Sequence, residues 1–418
     1  MKICIHCHTL TAGKGGAERV AAELAGEMAS RGHDVSMLYK QKDGVEPSYN
    51  MAKAVRSVAY GQLPDLSNIL PQLDPDVFLT FYFDRMLART YAAVHHTNIP
   101  FCMQECTNPE RLYVNNWKAP AGGEFVAYWE REIIASFAAR IRLTMRSYIQ
   151  SFAPHIRKQI RAFSNPAFRQ DVPANVGIQD AGEYYITIVN GFKKNKNLLG
   201  LLQAFQRLVG DFPSWGIKVI GRGGDPDNPH DMELSEAIRD LGLASRVHIT
   251  GQTDDVYVHY RQSQIHVIAS LSEGCPTAVL EAMSVGVPSI GFADCPGTNE
   301  LIVHEENGLL ADPTDRIAGL EAALRRLMSS AELRVRLGEQ SFKDSQSFEP
   351  SRIYDQWEEL FAEAASYKGD LDRLFREQLQ IAPERALHAR RMIGPLLQQM
   401  NTAPARSFLK SLKMDLAA

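Results

Sequence analysis

The sequence predicts a two-domain α/β protein, with a helix-covered parallel sheet in each domain and a helical carboxyl-terminal extension. Three observations support this fold class. The chain has 418 residues, which is enough for two or three domains at about 150 residues each. Short apolar runs alternate with helical patterns along most of it, as is typical of parallel sheets. A polar stretch that contains proline, residues 164–181, separates these runs into two groups and is predicted to be the linker.

The strand candidates follow one another in a regular order on both sides of the linker. Helices are predicted between them, for example over residues 18–31 and 198–208. Residues 350–365 also have apolar side chains at helical spacing, and an amphipathic pattern covers residues 371–412. The strand candidates are KICIHCHT, DVSMLY, DVFLTFY, PFCMQE and RIRLTM before the linker, and YYITIVN, GIKVIG, RVHITG, QIHVIAS and VPSIGF after it.

We therefore predict a first domain over residues 1–166 and a second over 167–347, then a helix over 348–370 and a helical tail over 371–418. Parallel sheets bind ligands at the carboxyl ends of their strands. The predicted site is a cleft where the carboxyl ends of the two sheets face each other.

Composition and charge exclude several classes of protein. With 45% hydrophobic and 22% charged residues, the chain is neither disordered nor a coiled coil. No window approaches the ~18 apolar residues of a membrane span, and the amino terminus does not resemble a signal peptide, so we expect a cytoplasmic protein. Lys and Arg outnumber Asp and Glu by 19 to 15 in residues 1–166, against 17 to 29 in residues 167–367. This balance argues against nucleic-acid binding; it suits an anionic small molecule or membrane surface, or merely a solvated surface.

The six cysteines are too sparse for a disulfide framework and are predicted to be reduced thiols. Cys4 and Cys7 have the C-x-x-C spacing of a metal site, with His6 and His8 interleaved. The alternation of a strand would point the two thiols to opposite faces. A buried strand, with no metal, is the prediction.

The first segment that suggests chemistry is GKGGAERV, residues 13–20, which follows a strand candidate and opens a helix. Gly15 and Gly16 would let the backbone approach a ligand, and a helix start offers unpaired N–H groups to an anion. The segment does not match the G-x-G-x-x-G fingerprint of dinucleotide binding. A plain strand-to-helix turn is the alternative.

The second segment is a basic loop, residues 190–197, that leaves one predicted strand and enters a helix. Its three lysines are Lys193, Lys194 and Lys196. Positive side chains together with a helix amino terminus favour binding of a diphosphate. A solvated basic loop is the alternative.

The third segment, residues 272–283, follows the strand candidate QIHVIAS. Pro276 suits the first turn of a helix, so residues 274–278 would present free N–H groups. Glu273 precedes this helix, and Glu281 is predicted about one turn further in, on the helix surface. One carboxylate could bind sugar hydroxyls and the other a ribose, whereas helix caps or surface charges are the alternative.

Together these segments resemble the retaining family-4 glycosyltransferases of the GT-B fold, over roughly residues 1–365. The resemblance rests on the spacing Glu273-x7-Glu281, the GGAERV segment, the basic loop ending in Lys196-Asn197, the turn over residues 221–224 and the CPGTNE segment over residues 295–300.

That resemblance implies two Rossmann-like domains, with the acceptor bound mainly by the first and the nucleotide-sugar donor mainly by the second. It also implies that the helix over residues 350–365 crosses back onto the first domain. The implied roles are the nucleotide ribose for Glu281, the donor sugar for Glu273, the diphosphate for Lys196, a loop over the phosphates for Gly15 and Gly16, and backbone contacts to sugar and phosphate for Gly274, Cys275, Pro276 and Thr277.

Two positions depart from the family pattern. Asn190-Gly191 stands where relatives usually have Gly-Arg, so Lys193 or Lys194 would have to replace a phosphate-binding arginine. In the first domain, the acceptor-side candidates are Glu105, Cys106 and Asn108, and Cys106 stands where many relatives place a His or Arg. A thiol cannot supply the same cationic hydrogen bond.

The predicted activity is retaining transfer of a sugar from a nucleotide diphosphate sugar, with UDP favoured, to a hydroxyl of a lipid-linked or envelope glycan. No cofactor or metal is predicted, since lysines and a helix start can stabilise the departing diphosphate. The alternatives are a nucleotide-sugar epimerase, a non-catalytic glycan-binding subunit and, more remotely, a dehydrogenase. For the tail, the pattern fits peripheral contact with an anionic membrane, packing on the chain's own body or packing on a second subunit.

Overall fold

The structure is a computed structural model that describes residues 1–11, 15–82, 86–109, 131–171, 173–178, 182–189, 194–221, 229–253 and 255–379. The described chain forms two compact units. The first contains residues 1–164 and 354–379, and the second contains residues 165–353.

The first unit is built on a seven-stranded parallel sheet with the strand order β3-β2-β1-β4-β5-β6-β7. The central strands are apolar on both faces, because helices cover parallel sheets on both sides. The strands are β1 (Lys2–Cys7), β2 (Asp34–Lys40), β3 (Arg56–Tyr60), β4 (Val77–Tyr82), β5 (Phe101–Glu105), β6 (Arg140–Leu143) and β7 (Ile160–Ala162).

The second unit is built on a six-stranded parallel sheet with the order β10-β9-β8-β11-β12-β13. Its core consists of a large cluster of aliphatic and aromatic side chains from strands and helices and a smaller cluster around Val176, Tyr260 and Val285. The strands are β8 (Tyr184–Val189), β9 (Trp215–Ile220), β10 (Val247–Gly251), β11 (Ile265–Val267), β12 (Ser289–Phe292) and β13 (Gly308–Ala311).

Helices pack on both sheets. Those of the second unit are α4 (Leu198–Gln206), α5 (Pro229–Asp240), α6 (Tyr257–Arg261), α7 (Thr277–Ser284), α8 (Thr298–Leu301), α9 (Arg316–Ser329) and α10 (Ala331–Asp344). The others are α1 (Gly16–Ser30), α2 (Leu66–Leu73), α3 (Met86–Val94), α11 (Pro350–Ala365) and α12 (Leu371–Leu379), with a further helical stretch over residues 131–137.

The predicted fold class is confirmed, since both halves are Rossmann-like units with parallel sheets and a helical region follows them. All ten strand candidates form strands. The prediction missed β3, β7 and β13. The reason is local: most of β3 is accessible to solvent, and the apolar stretches at β7 and β13 are short and flanked by polar residues. A short strand such as β11 was predicted because it lies in a longer apolar run.

Helix α11 begins in one unit and continues in the other. Ile353 belongs to the second unit, and from Tyr354 onward the chain packs on the first. Trp357 stacks on Phe81 at 6.4 Å between ring centroids, and Arg31 forms ion pairs with Asp355 and Glu358. An apolar face and a charged edge therefore hold the helix against the first unit.

The described part of the predicted tail, α12, also packs on the first unit. Leu371 and Leu374 are buried and line a small recess together with Tyr91, Phe101 and Phe137. The rest of the tail, residues 380–418, lies outside the described residues. None of the helices in the described ranges combines the length and the apolar character that a membrane crossing requires.

Candidate functional site

The strand order of the second unit reverses between β8 and β11, which are neighbours in the sheet. Ligands of open α/β sheets bind outside the carboxyl ends of the strands at such a switch point. The segment after β8 contains the basic loop, and the segment after β11 contains residues 268–276. The topology therefore brings two of the predicted motifs to one place.

Lys196 and Glu273 meet at this switch point. The Lys196 Nζ atom lies 2.5 Å from Glu273 Oε1, and the side chains are 20% and 12% exposed. The two loops are also joined through the backbone, since Leu271 N–H donates to Asn195 O at 2.9 Å. The sequence predicted that both residues belong to one site but not that they form an ion pair.

The turn that carries Lys196 has a defined backbone conformation. Residues 194–196 form a short 3₁₀ helix, and Asn197 then adopts a left-handed conformation with φ of 51° before α4 begins. Asparagine tolerates that region better than most residues. A Cβ atom on Gly200 would lie 2.7 Å from the Asn197 side-chain oxygen. Gly200 thus leaves room for the side chain of Asn197. The conformation of Asn197 sets the direction in which the loop enters α4.

The amino terminus of α7 lies directly after Glu273. The helix begins at Thr277, and Pro276 is its N-cap rather than part of its first turn as predicted, because the Pro276 carbonyl already accepts from Val279 and Leu280. The N-cap residue, Pro276, makes no side-chain hydrogen bond that would cap the helix start. A helix start without a cap suits an anion, and the preceding turn, Gly274 and Cys275, is only partly buried.

Glu281 lies in the same helix and is 8% exposed. The sequence predicted a carboxylate on the helix surface, and this was wrong. Residues 278–284 are all buried because both faces of α7 are covered within the second unit. A substitution at this position will therefore affect packing as well as any ligand.

Cys295 is a neighbour that the sequence did not assign to this site. Burial raises the pKa of its thiol to about 11, with a further contribution from the Glu273 carboxylate. Thr298 Oγ1 donates to its Sγ atom at 3.4 Å. The CPGTNE segment thus supplies a neutral thiol beside the charged pair, and Gly297, with φ of 81°, provides the turn into α8.

In the first unit, the predicted glycines open α1. Gly15 is the N-cap and Gly16 the first helical residue. A Cβ atom on Gly15 would lie 2.2 Å from Glu18 Oε2, and Thr9 donates a hydrogen bond to the same carboxylate. A side chain at Gly15 would therefore displace the Glu18 carboxylate from its present position.

The acceptor-side candidates lie at the carboxyl end of β5. Glu105 is buried and its Oε1 atom accepts from the N–H and the hydroxyl of Thr107, at 3.0 and 2.9 Å. Burial, reinforced by the Glu105 carboxylate, raises the pKa of Cys106 well above its usual value, so this thiol stays neutral. Asn108 is buried beside them. The strand end is thus polar, and residues 105–109 include no basic side chain.

A buried arginine that the sequence did not single out supports this strand end. Arg142 donates from Nη1 to Gln104 Oε1 at 3.0 Å and lies over the rings of Phe163 and Trp357. It therefore connects α11 to the segment that carries Glu105. Gln104, Phe163 and Trp357 are 38, 21 and 215 positions away in the sequence, which explains why no local pattern revealed Arg142.

Some predicted residues are not brought into either group. Lys194 is exposed, and Lys193 lies outside the described residues together with Asn190, Gly191 and residues 222–228. The thiols of Cys4 and Cys7 are buried, and burial raises the pKa of both. Across the described ranges, no group of three or more His, Cys, Asp or Glu side chains is arranged to bind a metal ion.

Comparisons with known proteins agree with this geometry. Residues 174–344 match the family described as Glycosyl transferases group 1. An uncharacterized glycosyltransferase of Haemophilus influenzae is 24% identical over 82% of this chain and 95% of its own length. A Campylobacter jejuni transferase is 23% identical over 87% of this chain and 99% of its own; it is named GalNAc-alpha-(1->4)-GalNAc-alpha-(1->3)-diNAcBac-PP-undecaprenol alpha-1,4-N-acetyl-D-galactosaminyltransferase.

Among solved structures, Anabaena Alr3699/HepE in complex with UDP and glucose has a TM-score of 0.68 and 16% identity, over 87% of this chain and 99% of that one. At this identity the likeness shows the fold. Since the group 1 match spans the loops that carry Lys196, Glu273 and Glu281, the second unit of this GT-B-like fold contains a Glycosyl transferases group 1 domain.

Proposed function

We propose that the protein transfers a sugar from a UDP-sugar, with retention of the anomeric configuration, to a hydroxyl of a lipid-linked or envelope glycan. The observation on which this proposal depends is the Lys196–Glu273 ion pair at the switch point of the second unit, beside the start of α7. The pair combines a cation for a diphosphate with a carboxylate for sugar hydroxyls.

The Lys196 ammonium and the N–H groups at the start of α7 would stabilise the negative charge that develops on the departing diphosphate. Electrostatic stabilisation of this kind is usually the largest contribution to such catalysis. Glu273 would accept hydrogen bonds from hydroxyls of the donor sugar, and Glu281 from the nucleotide ribose. The leaving phosphate oxygen would take the proton of the acceptor hydroxyl as the new glycosidic bond forms on the same face.

The ion pair also explains how the donor could be recognised. With no donor bound, each charge satisfies the other. In the complex, the diphosphate would pair with the Lys196 ammonium, and sugar hydroxyls would donate hydrogen bonds to the Glu273 carboxylate. Donor binding would therefore replace the ion pair without leaving either charge unpaired. These groups supply the positive charge at the diphosphate without a metal ion, and we propose a metal-independent reaction on that ground.

The choice of substrates is supported by the relatives. The HepE structure contains UDP and glucose, and the name of the Campylobacter transferase specifies an undecaprenol-linked glycan acceptor. We infer the same classes of donor and acceptor here, which would place the protein in the cytoplasm, peripheral to the membrane surface where lipid-linked glycans are presented.

The proposal is tested by incubating the protein with a panel of UDP-, GDP- and ADP-sugars and measuring slow donor hydrolysis. Hydrolysis of one or more UDP-sugars, unaffected by EDTA, is the expected result. Release of an epimerised sugar would instead indicate an epimerase. A protein that binds none of the nucleotide sugars in calorimetry contradicts the proposal.

A further inference from the structure

The first unit has a switch point of its own. Its strand order reverses between β1 and β4, just as that of the second unit reverses between β8 and β11. The residue that directly follows β1 is His8, so its position in the first unit is related to that of the basic loop in the second. Side chains in such a position face the region where open α/β sheets bind ligands.

His8 is the outer end of a hydrogen-bonded chain of side chains. Its Nδ1 atom lies 2.7 Å from the Tyr60 hydroxyl, and that hydroxyl lies 2.7 Å from His6 Nε2. His6 Nδ1 in turn lies 2.9 Å from Thr80 Oγ1. His6, Tyr60 and Thr80 are buried, whereas His8 is partly exposed. The chain thus runs from the sheet core to the carboxyl edge.

The hydroxyl of Tyr60 has one proton and two imidazole neighbours. At most one ring can accept that proton, so at least one ring must donate an N–H to the hydroxyl. When His8 donates from Nδ1, its Nε2 atom has a lone pair, and in the opposite arrangement Nε2 bears a proton. Both arrangements are neutral, so His8 Nε2 can act as either acceptor or donor.

The surroundings of His6 and His8 keep both imidazole rings neutral. Burial lowers the pKa of His6 to about 3, and His8 adds to this effect. Burial, followed by the ammonium of Lys40 at the end of β2, lowers the pKa of His8. Phe78 stacks on His6 with the ring centroids 5.8 Å apart. A neutral imidazole with both hydrogen-bonding options suits a neutral hydroxyl better than it suits a phosphate.

The ring of His8 is held in place but not fully used. None of the described residues forms a hydrogen bond to its Nε2 atom, whereas Nδ1 is fixed by Tyr60. A buried network of polar side chains is costly unless each member has its hydrogen-bond partners. Among the ring nitrogens of His6 and His8, only Nε2 of His8 is still available for a ligand.

We propose that His8 binds a hydroxyl of the carbohydrate acceptor through Nε2, and that Tyr60 and His6 are positioning residues that orient its ring. This inference depends on the proposed glycosyltransfer and adds a specific acceptor contact to it. It assigns a role to two histidines that the sequence analysis had considered only as possible metal ligands.

A direct test is NMR of the full-length protein labelled with 15N in histidine, in the presence of UDP. The probes are octyl glycosides of glucose, galactose, N-acetylglucosamine and N-acetylgalactosamine. We expect at least one of them to shift the Nε2 resonance of His8 while that of His266, buried in the second unit, is unchanged. If no glycoside shifts His8 in a protein that binds UDP, the inference is wrong. Failure to bind UDP or any UDP-sugar would refute the proposed function itself.

Two substitutions separate the contact from the ring's structural role. The amide of His8→Asn can retain the bond at the Nδ1 position but cannot reach the position of Nε2, and the longer His8→Gln can reach it. With the glycoside that shifts His8, we expect His8→Asn to raise the acceptor KM about fivefold to tenfold, and His8→Gln to stay within about twofold. An unchanged acceptor KM in His8→Asn, or an equal loss in both variants, overturns the proposal.

Discussion

The two units have the same kind of sheet topology but different side chains at the point where the strand order reverses. Both sheets are parallel and both reverse their strand order near the centre. At that point the second unit has a charged pair, Lys196 and Glu273, whereas the first has the neutral chain that ends at His8. A charged pair suits a leaving diphosphate, and a neutral chain suits a hydroxyl. In the proposed reaction, the donor end would need a charge for the diphosphate and the acceptor end a neutral hydrogen-bonding group for a hydroxyl.

Removal of the Lys196 ammonium group should have the largest effect on activity. Lys196→Ala should lower kcat about 100- to 1,000-fold, because loss of one group that stabilises developing charge has an effect of that size. Binding of uridine, which has no phosphate, should change little. Lys194→Ala, in the same turn, tests whether this exposed lysine takes the place of the missing phosphate-binding arginine. Equal turnover in both variants and in the wild type would mean that the loop is only a solvated surface.

The next largest effect is expected at Glu281. Glu281→Ala should weaken UDP binding roughly tenfold to a hundredfold, since a charged hydrogen bond contributes about 1.5–3 kcal/mol. The buried position predicts some loss of stability too. Glu281→Gln, which preserves the shape, should lose affinity with a smaller loss of stability. An unchanged affinity in calorimetry would remove Glu281 from the site.

Each unit also has one buried, neutral histidine, and this allows a comparison of acid stability. Burial lowers the pKa of both His6 and His266 from 6.5 to about 3. Between these values the unfolded chain binds more protons than the folded one, so stability falls as the pH decreases through this range. At pH 5 each histidine should cost about 2 kcal/mol relative to pH 7.

Urea unfolding at pH 7 and pH 5 measures this effect. His266→Asn should reduce the loss between the two pH values by about 2 kcal/mol, because one titrating group is gone. The same acid-induced loss in the variant and the wild type would show that His266 is not held neutral.

The smallest effect on folding is expected at the tail. Because Leu371 and Leu374 are buried on the first unit, a truncation should spare α12 and remove only residues 380–418. We expect that protein to stay folded and monodisperse and to keep its activity on a soluble acceptor. If the tail contacts a membrane, the truncated protein should lose association with anionic vesicles. Equal vesicle binding before and after truncation, or a changed oligomeric state, counts against the membrane role.

The sequence predicted more of the second unit's site than of the first's. Glu273, Pro276 and Glu281 lie within nine consecutive residues, so a local motif reveals them together. The His8 chain joins residues that are 52, 54 and 74 positions apart. Strand alternation does place His6 and His8 on one face, but Tyr60 ends β3, a short strand that the pattern missed.

The burial of individual polar side chains could not be predicted from the sequence either. Helical spacing correctly predicted α11, because its apolar residues recur on one side. The same reasoning put Glu281 on a helix surface, whereas α7 is covered on both sides by the rest of its unit. Whether a polar residue is enclosed depends on tertiary packing, which no local period encodes.

The central claim is that the second unit's ion pair activates a UDP-sugar for transfer with retention. It is tested most directly by NMR of the reaction with a UDP-α-sugar labelled with 13C at C1 and an octyl glycoside acceptor. We predict an α-linked product from the wild-type protein and a rate at least 100-fold lower from Lys196→Ala. A β-linked product, or α-linked product formed at the same rate by Lys196→Ala, would contradict the account.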